Sequence, residues 1–575
     1  NHYSYIIKLM EFVLAKFKSI GQFLKRNWLL VFLTLLFIPA IADLLKPGFF
    51  PMHDDLQIFR LFEIHKCVKD FQLPCRWVPD AGFGYGYPLM QFYPPMPYYP
   101  MELLNLLGFG LFWSVKIIFA LAFVVSGWGM YLLAKELFGK WGGVFSAVLY
   151  VYAPYHSVDI YVRGALNEAW GMAWFPFVLL FIYRLIHNPK HKNNLIFLSI
   201  FLFLQLTSHN VMTMVFAPTA IIWALYWLFV TKNYSAILKL LQSALLGVGL
   251  SAFFFIPVVL EQKFVHVDSM MVGYFNYLAH FADLKQLFTS RFWGYGGSTW
   301  GPEDGMSFSI GTLQWSFAFM AGILALVSFK KNKTLAISVL FMILFGLGYG
   351  FLTHSRSVFF WDHIALLQYS QFPWRLVALI VLYFSLSAGY IFTISTTPLF
   401  KTLLLAPLII IIISYNLAFF RVDKYLRVTV EEKLSGLQWE NQVTGGIFDY
   451  LPRSAPKPPG DPAPTLPVFL EGSGGILNYQ TGTNWQNFKV KLSTPQAKVM
   501  IPLYTYPGLK VKINDLVVTP EQEPDLGRVV INLSQENNFV EAKIGFTPVR
   551  VISDLLTIVS LIYLYFLFRS KNGNK

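Results

Sequence analysis

Eight stretches of this chain stay apolar over lengths that a water-soluble fold has little use for: Trp28–Leu44, Ile117–Leu133, Leu195–Leu206, Val211–Val230, Ile310–Phe329, Leu335–Leu352, Leu376–Thr393 and Leu403–Phe420. Most approach the ~20 residues that a helix needs to cross the hydrocarbon core of a bilayer. In lipid every backbone N–H and C=O must be satisfied internally, which leaves helices or closed barrels. The short alternating segments of a barrel are absent from the first 420 residues. With 55% hydrophobic, 18% aromatic and only 13% charged residues, the composition agrees. An all-α polytopic membrane protein of about twelve spans is expected. The first run is too long, and lacks the small-residue cleavage pattern, for a removable signal peptide.

Orientation follows from the basic residues. With the N-terminus inside, the inner segments are 1–27, 135–141, 183–194, 230–239, 329–334, 393–402 and 568–575. They hold 19 of the 45 Lys and Arg, including Lys16, Lys18, Lys25 and Arg26, and two acids, Glu11 and Glu136. The +14 net charge is then a cytoplasmic fringe, as the positive-inside rule requires. It excludes nucleic acid as a partner, since no basic soluble domain is present. A multi-pass protein of the cell (plasma) membrane is expected, with both termini cytoplasmic.

Three regions follow: a transmembrane region over 1–420 with a long first outer loop, 46–111; a β-rich extracytoplasmic region over 421–548; and a final span with a basic tail over 549–575. In the first loop, Leu56–Val68 mixes apolar and charged residues like an amphipathic helix lying on the membrane surface. Glycines and prolines then break regular structure up to Pro100. Cys67 and Cys75 share this loop; a disulfide is reasonable if it faces an oxidising compartment, though spacing does not prove pairing. In the β-rich region Phe488–Leu492, Lys498–Leu503 and Leu509–Ile513 read as strands, punctuated by turn signals at Pro507-Gly508 and Asn514-Asp515.

Residues able to do chemistry gather in the outer loops. His53-Asp54-Asp55 places adjacent carboxylates at the interface, suited to a general base or a cation site, or equally to capping the following helix. Asp159 and Arg163 lie four apart, as do Arg163 and Asn167, and Arg is the side chain best shaped to hold a phosphate. The plain alternative is an Asp159–Arg163 salt bridge. Glu168 opens a span, where a buried carboxylate is costly and often functional. Ser208-His209-Asn210 interrupts two apolar runs, as a turn or as a polar cavity wall. Arg375 follows Pro373-Trp374 at a span entrance, where headgroup anchoring is the usual role. Neither a phosphate-binding Gly-rich loop ending in Lys-Ser/Thr nor a His-Glu-x-x-His pattern is present, which argues against ATP-driven transport by this chain.

Taken with Gly84–Pro88, Phe92–Pro95, Arg163–Glu168 and Tyr506–Gly508, these motifs resemble the GT-C superfamily of membrane glycosyltransferases. More narrowly they resemble bacterial YfhO-type proteins and those labelled 6-pyruvoyl-tetrahydropterin-synthase-related; the pterin label finds no histidine cluster to support it. The resemblance implies transfer of a sugar from a polyprenyl-phosphate donor to an extracytoplasmic glycan, lipid or protein acceptor, among membrane lipids. Asp54 or Asp55 matches the family's catalytic acidic motif, and Glu168 falls near a second. Some relatives hold a divalent cation (Mg or Mn) at the acidic motif, here Asp54 and Asp55. By chemistry, Arg163, His209, Asn210 and Arg375 are the expected donor-phosphate and substrate contacts. The competing readings are a non-catalytic transporter or flippase of lipid-linked sugars and an envelope-assembly scaffold; fold does not choose among them.

Overall fold

The computed structural model describes residues 27–301, 303–394 and 397–570; Lys16, Lys18, Lys25, Arg26 and the tail from Lys571 lie outside them. Among the described residues eight helices are long and apolar enough to cross a membrane: Trp28–Leu45, Tyr98–Val151, Leu166–His187, Asn210–Thr231, Lys333–Thr353, Pro373–Thr393, Pro398–Phe419 and Pro548–Arg569. A ninth is gained if Ala236–Leu250 and Ala252–Phe264, bent by 79°, count as one span.

The rest of the expected twelve or so are two shorter apolar helices and a second arm of one long stretch. Lys192–Leu206 and Thr312–Val327 are apolar but have only 15 and 16 residues, short of the ~20 required. The stretch Tyr98–Val151 has no loop within it but folds back at Gly139, whose φ of 75° is open to glycine. Its two arms pack antiparallel, with Gly127 against Val151 and Gly143 so close to Tyr131 that a Cβ would lie 2.9 Å from the tyrosine carbonyl oxygen.

Two helices form the centre of the bundle. The apolar windows of Leu166–His187 and Pro373–Thr393 are 89% and 94% buried, against 6% for the peripheral Pro548–Arg569. Glu168 stands at the start of the first and Arg375 at the start of the second. The far ends of these helices meet the short basic turns. Arg184 Nε donates to Glu136 at 2.8 Å, Asn233 donates to the Ile186 carbonyl at 2.7 Å, and Ser328 pairs with Tyr390 at 2.7 Å. At 1.5 Å rise per residue, Glu168 and Arg184 are about 24 Å apart.

The helix expected on the membrane surface is instead enclosed. Gln57–Lys69 buries Ile58, Phe59, Arg60, Leu61, Glu63 and Ile64, covering both apolar and charged positions. The cover comes from the far end of the sequence. Leu426 pairs with Phe49 in an isolated bridge, and Trp439 of helix Gly436–Thr444 meets Phe59 and Phe62 edge-on at 5.7 and 5.9 Å. Phe83 donates its amide to Val443. Cys67 and Cys75 are joined in a disulfide.

The sheet region begins at Val468. Strands β1 (Val468–Glu471), β4 (Ala497–Tyr504), β8 (Arg528–Leu533) and β7 (Glu521–Gln522) make one antiparallel sheet in that order. Strands β2 (Gly474–Thr481), β3 (Trp485–Leu492), β9 (Asn537–Ile544), β5 (Leu509–Ile513) and β6 (Leu516–Val518) make the other. Phe488, Val490 and Leu492 point inward with lysines between them, as the alternation predicts. β4 is buried along nearly its whole length, and at its end Tyr504 packs against Tyr85 at 5.3 Å. Asn514 and Asp515, both with positive φ, turn β5 into β6.

The Tyr506–Gly508 motif is a joint between these regions. Arg550 of the last helix donates to Glu261 at 2.9 Å, and Gln91 donates both to Glu261 at 2.6 Å and to the Tyr506 hydroxyl at 3.1 Å. The pair Glu261–Arg550 is buried, so its neutrality and hydrogen bonds tie four distant segments together.

Candidate active site

The site is assembled on the Arg163-Gly-Ala turn. Gly164 has a φ of +63°, and a Cβ there would meet Met52 at 2.4 Å, so only glycine lets the His53 strand lie across this turn. His53 and Asp54 donate their amides to the carbonyls of Val162 and Arg163 at 3.0 and 2.9 Å. Gln57 closes the arrangement by donating to Gly164 O at 2.8 Å and accepting from the Tyr98 hydroxyl at 2.7 Å. Two short motifs more than 100 residues apart thereby become one wall of a cavity of about 590 Å³.

Asp54 lines that cavity with 30% of its side chain exposed. Its Oδ2 accepts from Arg60 Nη1 at 2.7 Å, Gln57 Nε2 at 3.1 Å and the Tyr93 hydroxyl at 3.3 Å. Arg60 is itself laid over the Tyr93 ring at 4.0 Å. Oδ1 has no hydrogen-bond partner among the described residues. The carboxylate is therefore held rigidly by one oxygen and free at the other.

Asp55 goes elsewhere. It pairs with Lys433 of the covering segment and does not line the cavity. Burial raises its pKa against the opposing pull of that lysine. His53 lines the cavity against Tyr295, with its pKa lowered by burial and by the Arg163 charge.

Glu168 is fully buried and fully engaged. Its Oε1 accepts from the Tyr155 hydroxyl at 2.6 Å, and its Oε2 forms a salt bridge with Arg163 Nη2 at 2.9 Å and accepts from Arg375 Nε at 3.2 Å. Asp159 completes the cluster through its salt bridge to Arg163. Two carboxylates thus neutralise two guanidiniums, which Trp374 and Phe372 flank at 4.6 and 4.7 Å. Arg375 also donates from Nη1 to Ser370 O and Gln371, both at 2.8 Å. It is a buried strut of the cavity wall rather than a headgroup anchor. Arg163 Nε and Arg375 Nη2 carry no protein acceptor among the described residues, so each can meet an anion in the cavity.

Ser208-His209-Asn210 makes a turn from which His209 and Asn210 line the cavity. His209 Nδ1 accepts from Met212 N at 3.0 Å, capping the helix Asn210–Thr231. The ring is thereby held as the tautomer with its proton on Nε2, a donor. Asn210 braces the wall by donating to Phe92 O at 3.0 Å. Asn167 begins a new helix after the Gly164 break, so it shares no helix face with Arg163; it ties Pro94 O and Ser208 O together, both at 2.8 Å.

Sequence reasoning missed Arg60, Tyr93, Asp449 and Tyr450, all cavity residues. Arg60 read as the polar face of a surface helix, Tyr93 lay in the Phe92–Pro95 motif without a role of its own, and Asp449 and Tyr450 fell in the β-rich region 421–548 with nothing to mark them. No group of three His, Cys, Asp or Glu able to hold a metal ion occurs among the described residues. Asp54 and Asp55 each face a basic partner instead of one another, so this donor set does not fit a cation bridged between them.

Residues 93–260 match the family described as dolichyl-phosphate-mannose-protein mannosyltransferase. A protein of Lactococcus lactis subsp. cremoris (strain MG1363), described only as uncharacterized, is 23% identical over 294 residues, 48% of this chain and 45% of that one. The chain thus spans about half the length of the curated relative that it matches. Among solved structures, the arabinofuranosyltransferase AftD from Mycobacteria is 15% identical at a TM-score of 0.46, covering 73% of this chain and 27% of that one. ArnT from Cupriavidus metallidurans, bound to undecaprenyl phosphate, is 14% identical at a TM-score of 0.39, covering 66% and 62%. The oligosaccharyltransferase of Archaeoglobus fulgidus, tethered to an acceptor peptide, is 13% identical at 0.41, covering 71% and 56%. The narrower likeness to YfhO-type proteins is not among these findings. Over residues 93–260, which carry Tyr93, Arg163, Glu168 and His209, the resemblance to membrane glycosyltransferases drawn from the sequence holds.

Proposed function

We propose that this protein transfers a sugar from a polyprenyl-phosphate-linked donor to an acceptor hydroxyl, or an equivalent nucleophile, in the cell envelope. The observation that carries this reading is Asp54: a carboxylate fixed through Oδ2, open at Oδ1, on a cavity that also holds unfilled donors of Arg163, Arg375 and His209. Such a cavity offers a base and an anion-binding wall together. The site lies at the bundle end opposite the basic turns, which supports an extracytoplasmic active face.

In the reaction, Asp54 Oδ1 takes the proton of the acceptor as its oxygen attacks the anomeric carbon. The bond from that carbon to the phosphate oxygen breaks, and its electron pair leaves with the polyprenyl phosphate. Arg163 Nε, Arg375 Nη2 and His209 Nε2–H stabilise the charge that builds there. Glu168 and Asp159 keep the two guanidiniums in place and so act as positioning residues. Direct displacement inverts the anomeric centre.

The test is transfer of radiolabelled sugar from a panel of polyprenyl-phosphate sugars by the purified protein in lipid. Turnover of at least one donor is expected. Silence across the panel, with donor binding still measurable, would replace this reading with transport.

A further inference from the structure

The proposed reaction gives no part to Asp449, a further carboxylate of the cavity. Asp449 lines it from the segment 445–450, which follows the helix Gly436–Thr444. Its carboxylate has a single long hydrogen bond, accepted by Oδ1 from Ser269 Oγ at 3.4 Å, and Oδ2 has no partner among the described residues. Burial raises its pKa to about 6, so the fold holds a carboxylate in a poorly solvated place without a salt-bridge partner among the described residues. Tyr450 stands beside it, lining the same cavity and stacked on Phe92 with centroids 6.2 Å apart and ring planes within 5°. The Tyr450 hydroxyl also lacks a partner among the described residues.

This segment is built to stay in place. Val443 O receives the Phe83 amide at 3.3 Å on one side. On the other, Leu451 O receives the His266 amide at 3.2 Å, and Arg453 donates to Phe264 O at 2.9 Å. Gly446 has a φ of +62°, and the Asp449 amide returns to its carbonyl at 3.1 Å, which turns the carboxylate back over the loop. A rigid carboxylate next to an aromatic hydroxyl is a set of hydrogen-bond acceptors and one donor, matched to neighbouring hydroxyls of a glycosyl ring. It carries negative charge, whereas the unfilled guanidinium donors belong to Arg163 and Arg375 on other elements.

We infer that Asp449 and Tyr450 form a sugar-recognition subsite that accepts a neutral or amino-bearing glycosyl ring and rejects one bearing a carboxylate. This rests on the glycosyltransferase reading for its place in the reaction, but not for the binding itself. The ring could belong to the donor or to a glycan acceptor, and the chemistry is the same for both.

The test uses the full chain in lipid nanodiscs, with Asp449→Asn and Tyr450→Phe as variants and thermal unfolding as the control for folding. Binding is measured for polyprenyl phosphate alone, for glucosyl- and glucuronyl-linked polyprenyl phosphate, and for soluble oligosaccharides. In the wild type, glucosyl lipid should bind roughly tenfold more tightly than glucuronyl lipid, a difference of about 1.4 kcal/mol. Asp449→Asn should narrow that gap while leaving polyprenyl phosphate binding unchanged. If the variants lose affinity only for oligosaccharide, the subsite belongs to the acceptor and the inference stands. Unchanged affinity for every sugar in both variants would overturn it. Wild-type transfer with that null result would leave the glycosyltransferase reading intact. Sugar-dependent binding lost in Asp449→Asn, with no turnover in the wild type, would uphold the subsite and overturn the enzyme.

Discussion

Glu168 lies between Arg163 and Arg375 with no exposed side-chain surface, and both of its oxygens are hydrogen-bonded; Asp54, on the same cavity, keeps 30% of its side chain exposed and one oxygen without a partner among the described residues. Both are acidic residues near an anionic substrate's expected path, and a motif search treats them alike. The surroundings separate them. A carboxylate that two buried guanidiniums depend on cannot give up its charge without stranding them, so it holds architecture. One held at a single oxygen can take a proton at the other and remain in place, so it suits chemistry. The same contrast sets Asp54 apart from its neighbour Asp55, whose partner Lys433 draws it away from the cavity.

The comparison breaks most visibly at Glu168. Glu168→Gln leaves buried guanidinium charge uncompensated, at a cost of about 3–5 kcal/mol. A large fall in the apparent unfolding temperature is expected, with donor binding lost as the wall loosens. Normal stability with only turnover lost would instead make Glu168 a chemical residue. Next in size is Arg60, which orients Asp54 while stacked on Tyr93. Arg60→Gln should lower kcat roughly tenfold with little change in KM, and Arg60→Lys should recover part of it.

A smaller effect concerns pH. Asp449 is raised to about 6 by burial, mainly against the favourable influence of Ser269 and Arg60; Tyr87 and Tyr450 are the other titratable groups that feel its charge. The native state then binds a proton more tightly than the unfolded chain does. Its contribution to stability is therefore most favourable at low pH and declines as pH rises from the ordinary Asp range through about 6. Asp449→Asn should flatten that part of the stability profile, measured by unfolding at pH 4–7. Smallest of all, Asp55→Asn removes a part-exposed ion pair, for which ~1 kcal/mol or less and under about threefold in turnover are expected.

What could be read from the sequence was whatever local pattern controls. Apolar runs gave the helical membrane architecture, and lysine alternation in Phe488–Leu492 gave a strand with one buried face. Asp54, Arg163, Glu168, His209 and Arg375 stood out because they are side chains able to do chemistry gathered in the outer loops and at span entrances. The missing part depends on contacts between remote segments. The helix Gln57–Lys69 carries an amphipathic pattern, and Arg60 becomes a cavity residue through its contacts with Asp54 and with Tyr93, which lies beyond that helix in the chain. Choosing Asp54 over Asp55 required knowing where Lys433 falls, 378 residues away. Asp449 lay in a stretch with no periodicity at all, and its role comes from the space it faces.

The most direct test of the central claim is sugar transfer by Asp54→Asn beside Asp55→Asn, both purified in lipid and both shown to unfold at the wild-type temperature. The account predicts that Asp54→Asn loses on the order of 10²–10⁴-fold in kcat while still binding donor, and that Asp55→Asn stays close to wild type. Full turnover in Asp54→Asn, or the loss falling on Asp55→Asn instead, would contradict it.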